Sequence, residues 1–484
     1  MAKQTTSPHP EWATAHRKPG TELRFINGKY YLYSVSSKYD SETKRTKKVT
    51  GKILGSVTKE AGFTGSDKRR IQAEKVFSVD RSTVFVRELG FSSFVGQYGK
   101  EITAKLKQFY PQDAELIVYM AYCRIVHQSP IKDMPFHTAK SMLSEGGTGN
   151  PTDKAFSAAL RSIGKQRGAA TNYLKSFFRP GDHVLVDLTN VFSNSEKMYY
   201  AKKGYNSEMV FEKQFNLMYI YSAKLQQPVF YRLFPGNLTD VKGFRLCLKE
   251  SGLSDAVVIA DKGFHSKANV EAVGAAGLKY IIPLKRDNGL VDYQKINDPD
   301  ALYFKFDDRY VRYTCYEAEG QKIYGFRDDK LRVQEEKDYL DRIVSIPEKY
   351  TTKGFGERRK AFGTIAMVSN TGYGAEQVYC TYKSRGAIET MFDGMKTILA
   401  ADKTYMQNED ALQGWMFVNH VALQWHYIIY NILKDKDQLK KYSVNDFIKH
   451  LYEIKQVRIN GEWIPEPQIK ATEKMLKKLN ISLT

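Results

Sequence analysis

Apolar positions along this chain change period several times, and the changes divide it. Phe25 to Val35 alternates as a half-buried strand does, and Lys44 to Val57 is placed as its hairpin partner across a polar turn at Asp40-Ser41-Glu42. Residues 79–143 turn to the helical period, with Ile102, Leu106 and Phe109 on one face and a second run from Ala114 to Ile125. Ser144 to Pro151 reads as a loop, and Thr152 or Asp153 can cap the next helix. Residues 155–178 predict a basic amphipathic helical pair carrying Arg161, Lys165, Arg167 and Lys175. From Gly181 the pattern predicts strands at 183–188, 215–222 and 228–233, a turn at 235–240, a helix at 241–251 and a strand at 256–260. A helix at 266–275 and a strand at 279–284 follow. Tyr303–Phe306, Tyr310–Tyr316 and Lys322–Arg327 read as strands in hairpins within a longer excursion, from Lys285 to about Ala361. The chain then predicts helices at 411–433 and 443–456 and a basic tail around Lys470 to Lys478. Helix 411–433 lacks Asp, Glu, Lys and Arg, but Gln413, His420, Gln424 and Asn431 share one face. That suits a buried helix with a polar stripe better than a bilayer span.

Charge narrows the partner. Lys and Arg number 74 against 54 Asp and Glu, and a net +20 favours a polyanion. The first 76 residues hold 16 Lys and Arg against 7 Asp and Glu, so nearly half the excess lies there. Lys44, Arg45, Lys47 and Lys48 put cations on the predicted hairpin, where they can contact DNA. Residues 155–178 are a further place for a helix-turn-helix-like contact. Lys349, Lys353, Arg358, Arg359 and Lys360, around Gly354 and Gly356, read as a mobile basic loop able to grip a nucleic-acid backbone. Met1 to Gly20 is polar and contains prolines, unlike a secretory signal. Cys123, Cys247, Cys315 and Cys380 are scattered without a Cys-x-x-Cys pair, which favours a reducing compartment over zinc or disulfides. The expectation is a cytoplasmic, nucleoid-associated protein with no membrane partner. There is no Walker A loop, no Gly-x-Gly-x-x-Gly turn and no Gly-x-Ser-x-Gly.

The candidate chemistry sits late in the chain. On one continuous helix Tyr382, Arg385, Glu389 and Lys396 fall at about 0°, −60°, −20° and −40° around the axis, a shared face. Ile388, Met391, Met395 and Leu399 lie to one side as an apolar face. Two short apolar runs end in carboxylates, Val184-Leu185-Val186-Asp187 and Val257-Val258-Ile259-Ala260-Asp261, the latter continuing as Lys262-Gly263-Phe264. The spacing Tyr-x2-Arg-x3-Glu-x6-Lys, preceded by these two aspartates, resembles the signature of the YREK group of bacterial DDE insertion-sequence transposases. The resemblance covers roughly residues 180–435. Gly386 departs from it, because relatives often carry a bulky residue there.

That resemblance implies an α+β multidomain protein with an RNase H-like mixed α/β core, an order that the meander and the alternating elements also suggest. The expected divisions are a basic hairpin region (1–76), a helical DNA-binding region (77–180) and the first part of the core (181–285). A β-rich insertion (286–361), the second part with the catalytic helix (362–435) and a helical basic C-terminal region (436–484) follow. The 127 residues between Asp261 and Glu389 are too many for a loop, so an inserted subdomain is expected. The resemblance further implies Asp187, Asp261 and Glu389 as catalytic metal ligands for magnesium or manganese, as a pair of ions, with Arg385, Lys396 and Tyr382 at the DNA. Double-stranded DNA, as element ends and target, and a homodimer in the synaptic complex are the implied partners. Asp393, one turn beyond Glu389, and Asp240 are rival ligands; His265 reads as a neighbour rather than a ligand, and Trp415 as core. The rival functions are a related nuclease without strand transfer and a catalytically inactive DNA-binding regulator.

Overall fold

The computed structural model describes residues 9–40, 44–66, 84–145, 149–204, 210–401 and 403–483. Ser41 and Glu42 of the expected turn, residues 79–83 and residues 146–148 lie outside them. Two compact units emerge, residues 1–85 with 457–464, and residues 86–456 with 465–484.

In the first unit the strands β1 (Thr21–Ile26), β2 (Lys29–Asp40), β3 (Arg45–Thr58) and β4 (Gly62–Gly65) pair antiparallel in that order. The single strand expected over Phe25–Val35 is in fact split. Asn27 and Gly28 both take positive φ (48° and 78°), as a two-residue hairpin turn demands, so β1 folds back on β2. Leu23, Leu32, Val57 and Ala13 form a small core under Trp12, Tyr30 and Leu54. Pairing to β1 stops at Ser34, and β4 reaches only Gly55–Thr58. Val35–Asp40 and the facing part of β3 therefore form a bare two-stranded ribbon, with Lys38 opposite Lys47 and Asp40 opposite Arg45.

The second unit opens with helices α1 (Gly90–Tyr98), α2 (Lys100–Phe109), α3 (Ala114–His127), α4 (Asp153–Lys165) and α5 (Arg167–Lys175). Thr152 caps α4 by accepting from the Ala155 N–H at 3.2 Å. A meander follows: β5 (Asp182–Ser193), β6 (Lys213–Ser222) and β7 (Gln227–Pro235), then α6 (Asp240–Ser251), β8 (Ala256–Ala260), α7 (Lys267–Ala275) and β9 (Lys279–Pro283). The later strands are β10 (Leu302–Phe306), β11 (Arg309–Ala318), β12 (Gln321–Asp328) and β13 (Thr364–Ser369). They continue the same sheet, whose order is β10-β11-β12-β13-β9-β8-β5-β6, with β7 beside β6. The excursion after Lys285 thus extends the central sheet through β13 instead of closing on a sheet of its own.

β5, β8 and β9 run parallel at the centre, and Val184–Val186 and Val258–Ala260 are fully buried, as strands covered on both faces must be. Gly243 of α6 lies against Met218 on one face of β6. Its neighbour Tyr219 points the other way, 6.1 Å from the Phe392 ring. α8 (Asp329–Ser345), α9 (Ala375–Lys383), α10 (Gly386–Asp393), α11 (Glu409–Asp435), α12 (Val444–Tyr452) and α13 (Lys470–Leu479) complete the unit. The polar stripe of α11 is satisfied in part inside: Gln424 accepts from the Tyr173 hydroxyl at 2.7 Å and Asn431 donates to the Leu225 carbonyl at 3.2 Å. Among the described residues no helix is long and apolar enough to cross a membrane.

Candidate active site

Strand register brings the two aspartates together. Leu185, Val186 and their parallel partners Ile259, Ala260 are aligned, so Asp187 and Asp261 are the next residues on neighbouring strands. Asp187 faces Tyr219 across the antiparallel β5–β6 pair, and paired residues share a face, so its carboxylate lies on the α10 side of the sheet. Asp261 directly follows β8 and starts a short turn, its carbonyl accepting from the Phe264 N–H at 2.9 Å.

The helix expected over Tyr382 to Lys396 is broken. After Lys383 the backbone hydrogen bonds shorten to i→i−3: Arg385 to Tyr382, Ala387 to Ser384 and Ile388 to Arg385, at 3.0, 3.1 and 3.0 Å. Ser384 bonds back to the Thr381 carbonyl at 2.6 Å, and Gly386 has the lowest helix propensity after proline. Past Asp393 the backbone widens into a π-helical turn, Gly394–Ile398, which holds Lys396. Tyr382 thus lies in the last turn of α9, Arg385 precedes α10, Glu389 lies in the first turn of α10, and Lys396 sits beyond it. The apolar face survives the break, with Ile388, Met391, Met395 and Leu399 all fully buried.

One guanidinium gathers the three acids. Arg385 Nη1 lies 3.4 Å from Asp187 Oδ2 and 3.7 Å from Asp261 Oδ1, and Nη2 lies 2.5 Å from Glu389 Oε1. Burial pushes the Asp187 carboxyl up to about 6, against the Leu188 N–H it accepts at 2.8 Å and the Arg385 charge. Burial works against the Arg385 charge as well, but Asp261, Asp187 and Glu389 outweigh it and raise its pKa. Glu389 is the accessible member, its side chain 58 % exposed against 18 % for Asp187. Among the described residues no group of three or more His, Cys, Asp or Glu side chains is arranged to hold a metal as it stands. Here the carboxylates turn to the guanidinium between them.

A segment of this composition, carrying carboxylates on adjacent parallel strands and on a helix, also matches a known domain. The family model described as transposase DDE domain matches residues 179–425, just over half of the chain. The chain belongs to the transposase DDE domain family. The DDE domain spans β5 to most of α11 and contains all three carboxylates. No curated protein matches the chain. Among solved structures it is similar to a piggyBac transposase synaptic complex with hairpin DNA, at a TM-score of 0.44 and 10% identity over 75% of this chain and 79% of that one.

Around the DDE domain's carboxylates the rivals separate. The Asp240 carboxylate lies beside Gly263, where an added Cβ would be 3.4 Å from Oδ2; burial first, then the Asp261 charge, raises its pKa. Asp393 is exposed, and its charge is felt by Tyr427. His265 is half-buried, with its pKa lowered by burial and by Lys285, and its Nδ1 is 3.5 Å from Asn288 Nδ2. Trp415 is core, with the Arg124 guanidinium 4.5 Å above its ring.

The basic candidates fall elsewhere. Lys44, Arg45, Lys47 and Lys48 are exposed on the ribbon of the first unit, with Lys48 Nζ 3.1 Å from Glu22. Arg358, Arg359 and Lys360 do not form a loop: Thr352–Arg358 is a short helix capped by Thr351, and the next three residues make a 3₁₀ turn. Aromatic faces hold two of these cations, Tyr339 under Arg358 at 5.6 Å and Tyr293 under Lys360 at 5.5 Å. A cleft of about 440 Å³ unforeseen from the sequence is lined by Lys262, Lys285, Arg286, Tyr293 and Tyr382. Its signal was the position of Lys262 and Lys285-Arg286, each beginning two residues past the end of a central parallel strand, where open α/β sheets place their ligands.

Proposed function

We propose that the chain is a YREK-group transposase of a bacterial insertion sequence, with an RNase H-like core. In this reading it binds the element's terminal inverted repeats as a homodimer at the nucleoid, cuts to leave 3′-hydroxyls and joins them to target DNA. The observation that carries the reading is the gathering of Asp187, Asp261 and Glu389 on one cation within a DDE domain.

The donor set fits hard divalent cations, because carboxylate oxygens are the ligands that magnesium and manganese take. Asp187, Asp261 and Glu389 would hold them; a pair of such ions supplies an activated water or 3′-hydroxyl and stabilises the leaving oxygen of an in-line displacement. The protein's own part is positional. Two carboxylates are fixed by strand register, and the third comes from a helix anchored by fully buried Ile388 and Met391. Arg385 and Lys396 are suited to phosphate, Arg as a fork and Lys as a point charge. The cleft's Lys262, next to Asp261 in the chain, and Lys285 add positive charge, with Tyr382 as an amphipathic wall.

The test is incubation of the full chain with magnesium and duplexes carrying the element's ends beside a supercoiled target. Cleavage at the ends with covalent joining to target is expected. Cleavage without joining would replace this reading with the nuclease, and binding without cleavage with the inactive regulator.

A further inference from the structure

The geometry points to Arg385 as a built-in cation that occupies the metal seat of the resting site and must leave it before metal can enter. This rests on the metal-site reading above. Three carboxylates converging without a cation would repel one another, yet they converge here on a single guanidinium, at 3.4, 3.7 and 2.5 Å. The side chain is mostly enclosed, 17 % exposed, so it fills the space between the acids instead of lying over them. Magnesium requires oxygens at roughly 2.0–2.1 Å. These oxygens now face a cation that a divalent ion would repel, so the same atoms cannot serve both at once.

The backbone at Arg385 suits such a release. The residue sits at the joint between α9 and α10, where i→i−3 hydrogen bonds replace the helical ladder. Its side chain can therefore be re-aimed with neither helix unwound. It also interacts with Tyr382, on the wall of the cleft that holds Lys262 and Lys285. A phosphate arriving there gives the freed guanidinium a new partner. Arg385 is then a positioning residue that keeps the acids gathered until metal and DNA exchange for it.

The test is Mn²⁺ affinity of the DNA-free full chain, read by electron paramagnetic resonance, for wild type, Arg385→Met, Arg385→Gln and Arg385→Lys, with folding checked by circular dichroism. Both neutral variants should bind Mn²⁺ at least about tenfold more tightly than wild type, because a competing positive charge is gone. Arg385→Lys, which keeps the charge, should stay near wild type. Adding Glu389→Gln to Arg385→Met should remove most of the gain. Equal or weaker binding by the folded neutral variants overturns the proposal and leaves the metal site standing. Absence of Mn²⁺ binding in every protein overturns the metal-site reading and the proposal with it.

Discussion

Arg124 is a buried arginine with no carboxylate among its hydrogen-bond partners in the described residues. Its guanidinium donates to Asn419 Oδ1 at 3.0 Å, to the Ser129 carbonyl at 3.1 Å and to the Leu399 carbonyl at the end of the segment that follows α10. Burial lowers its pKa to about 10, so it stays charged at neutral pH, and it stacks on Trp415. Arg124→Met leaves those acceptors buried and unpaired, and should cost about 2–4 kcal/mol in urea denaturation. Glu88 is a different case. It accepts from the Ser92 N–H at 3.1 Å, the Ser92 hydroxyl at 2.7 Å and the Phe91 N–H, yet burial outweighs these and pushes its carboxyl up to about 7. Between its unfolded value near 4.5 and about 7 the folded chain keeps a proton that the unfolded chain has lost. Stability therefore falls as pH rises through that window. Glu88→Gln removes the ionisation, so melting curves should show the variant gaining on wild type from pH 5 to pH 8. A constant difference between the two would remove Glu88 as the source.

The elements show what period alone can and cannot reveal. Strand 256–260 falls where the apolar run placed it, and α6 and α7 begin within a residue of expectation. The α9–α10 joint was hidden because the apolar face keeps its helical spacing across it; only the polar side, Ser384-Arg385-Gly386, carries the break. Gly386 has open space where a Cβ would stand, and its backbone is helical, so Gly386→Ala should stabilise by about 0.5–1 kcal/mol in the same urea experiment. The N-terminal hairpin was legible as strands, but its Asn27-Gly28 turn was read through. The bare ribbon sets Lys38 opposite Lys47 and carries exposed cations along its length. Neutralising Lys44, Arg45, Lys47 and Lys48 together should weaken DNA binding and flatten its salt dependence by about 0.9 in log–log slope per lost phosphate contact. An unchanged slope would mark the ribbon as merely solvated.

At the scale of the whole molecule, one central sheet assembles acids from distant parts of the chain. The spacing of Asp187, Asp261 and Glu389 along the sequence says nothing of their meeting; the parallel register of β5 and β8 does, and short apolar runs ending in Asp were its visible trace. The attachment of β10–β12 to the sheet was not legible, because it depends on the non-local pairing of β12 with β13, which no local pattern encodes. Arg385 was legible as a neighbour of Glu389 on a helix, but its contact with both aspartates needed the fold. The central claim is that these three carboxylates form one metal-dependent cleavage centre in the DDE domain. The measurement that tests it most directly is magnesium-dependent cleavage of element-end DNA by Asp187→Asn, Asp261→Asn and Glu389→Gln, with end binding measured in parallel. Each should lose at least about 10³-fold in cleavage while still binding DNA, and Asp393→Asn should stay within about tenfold of wild type. Near wild-type cleavage by any of the three, or its loss in Asp393→Asn, would contradict the account.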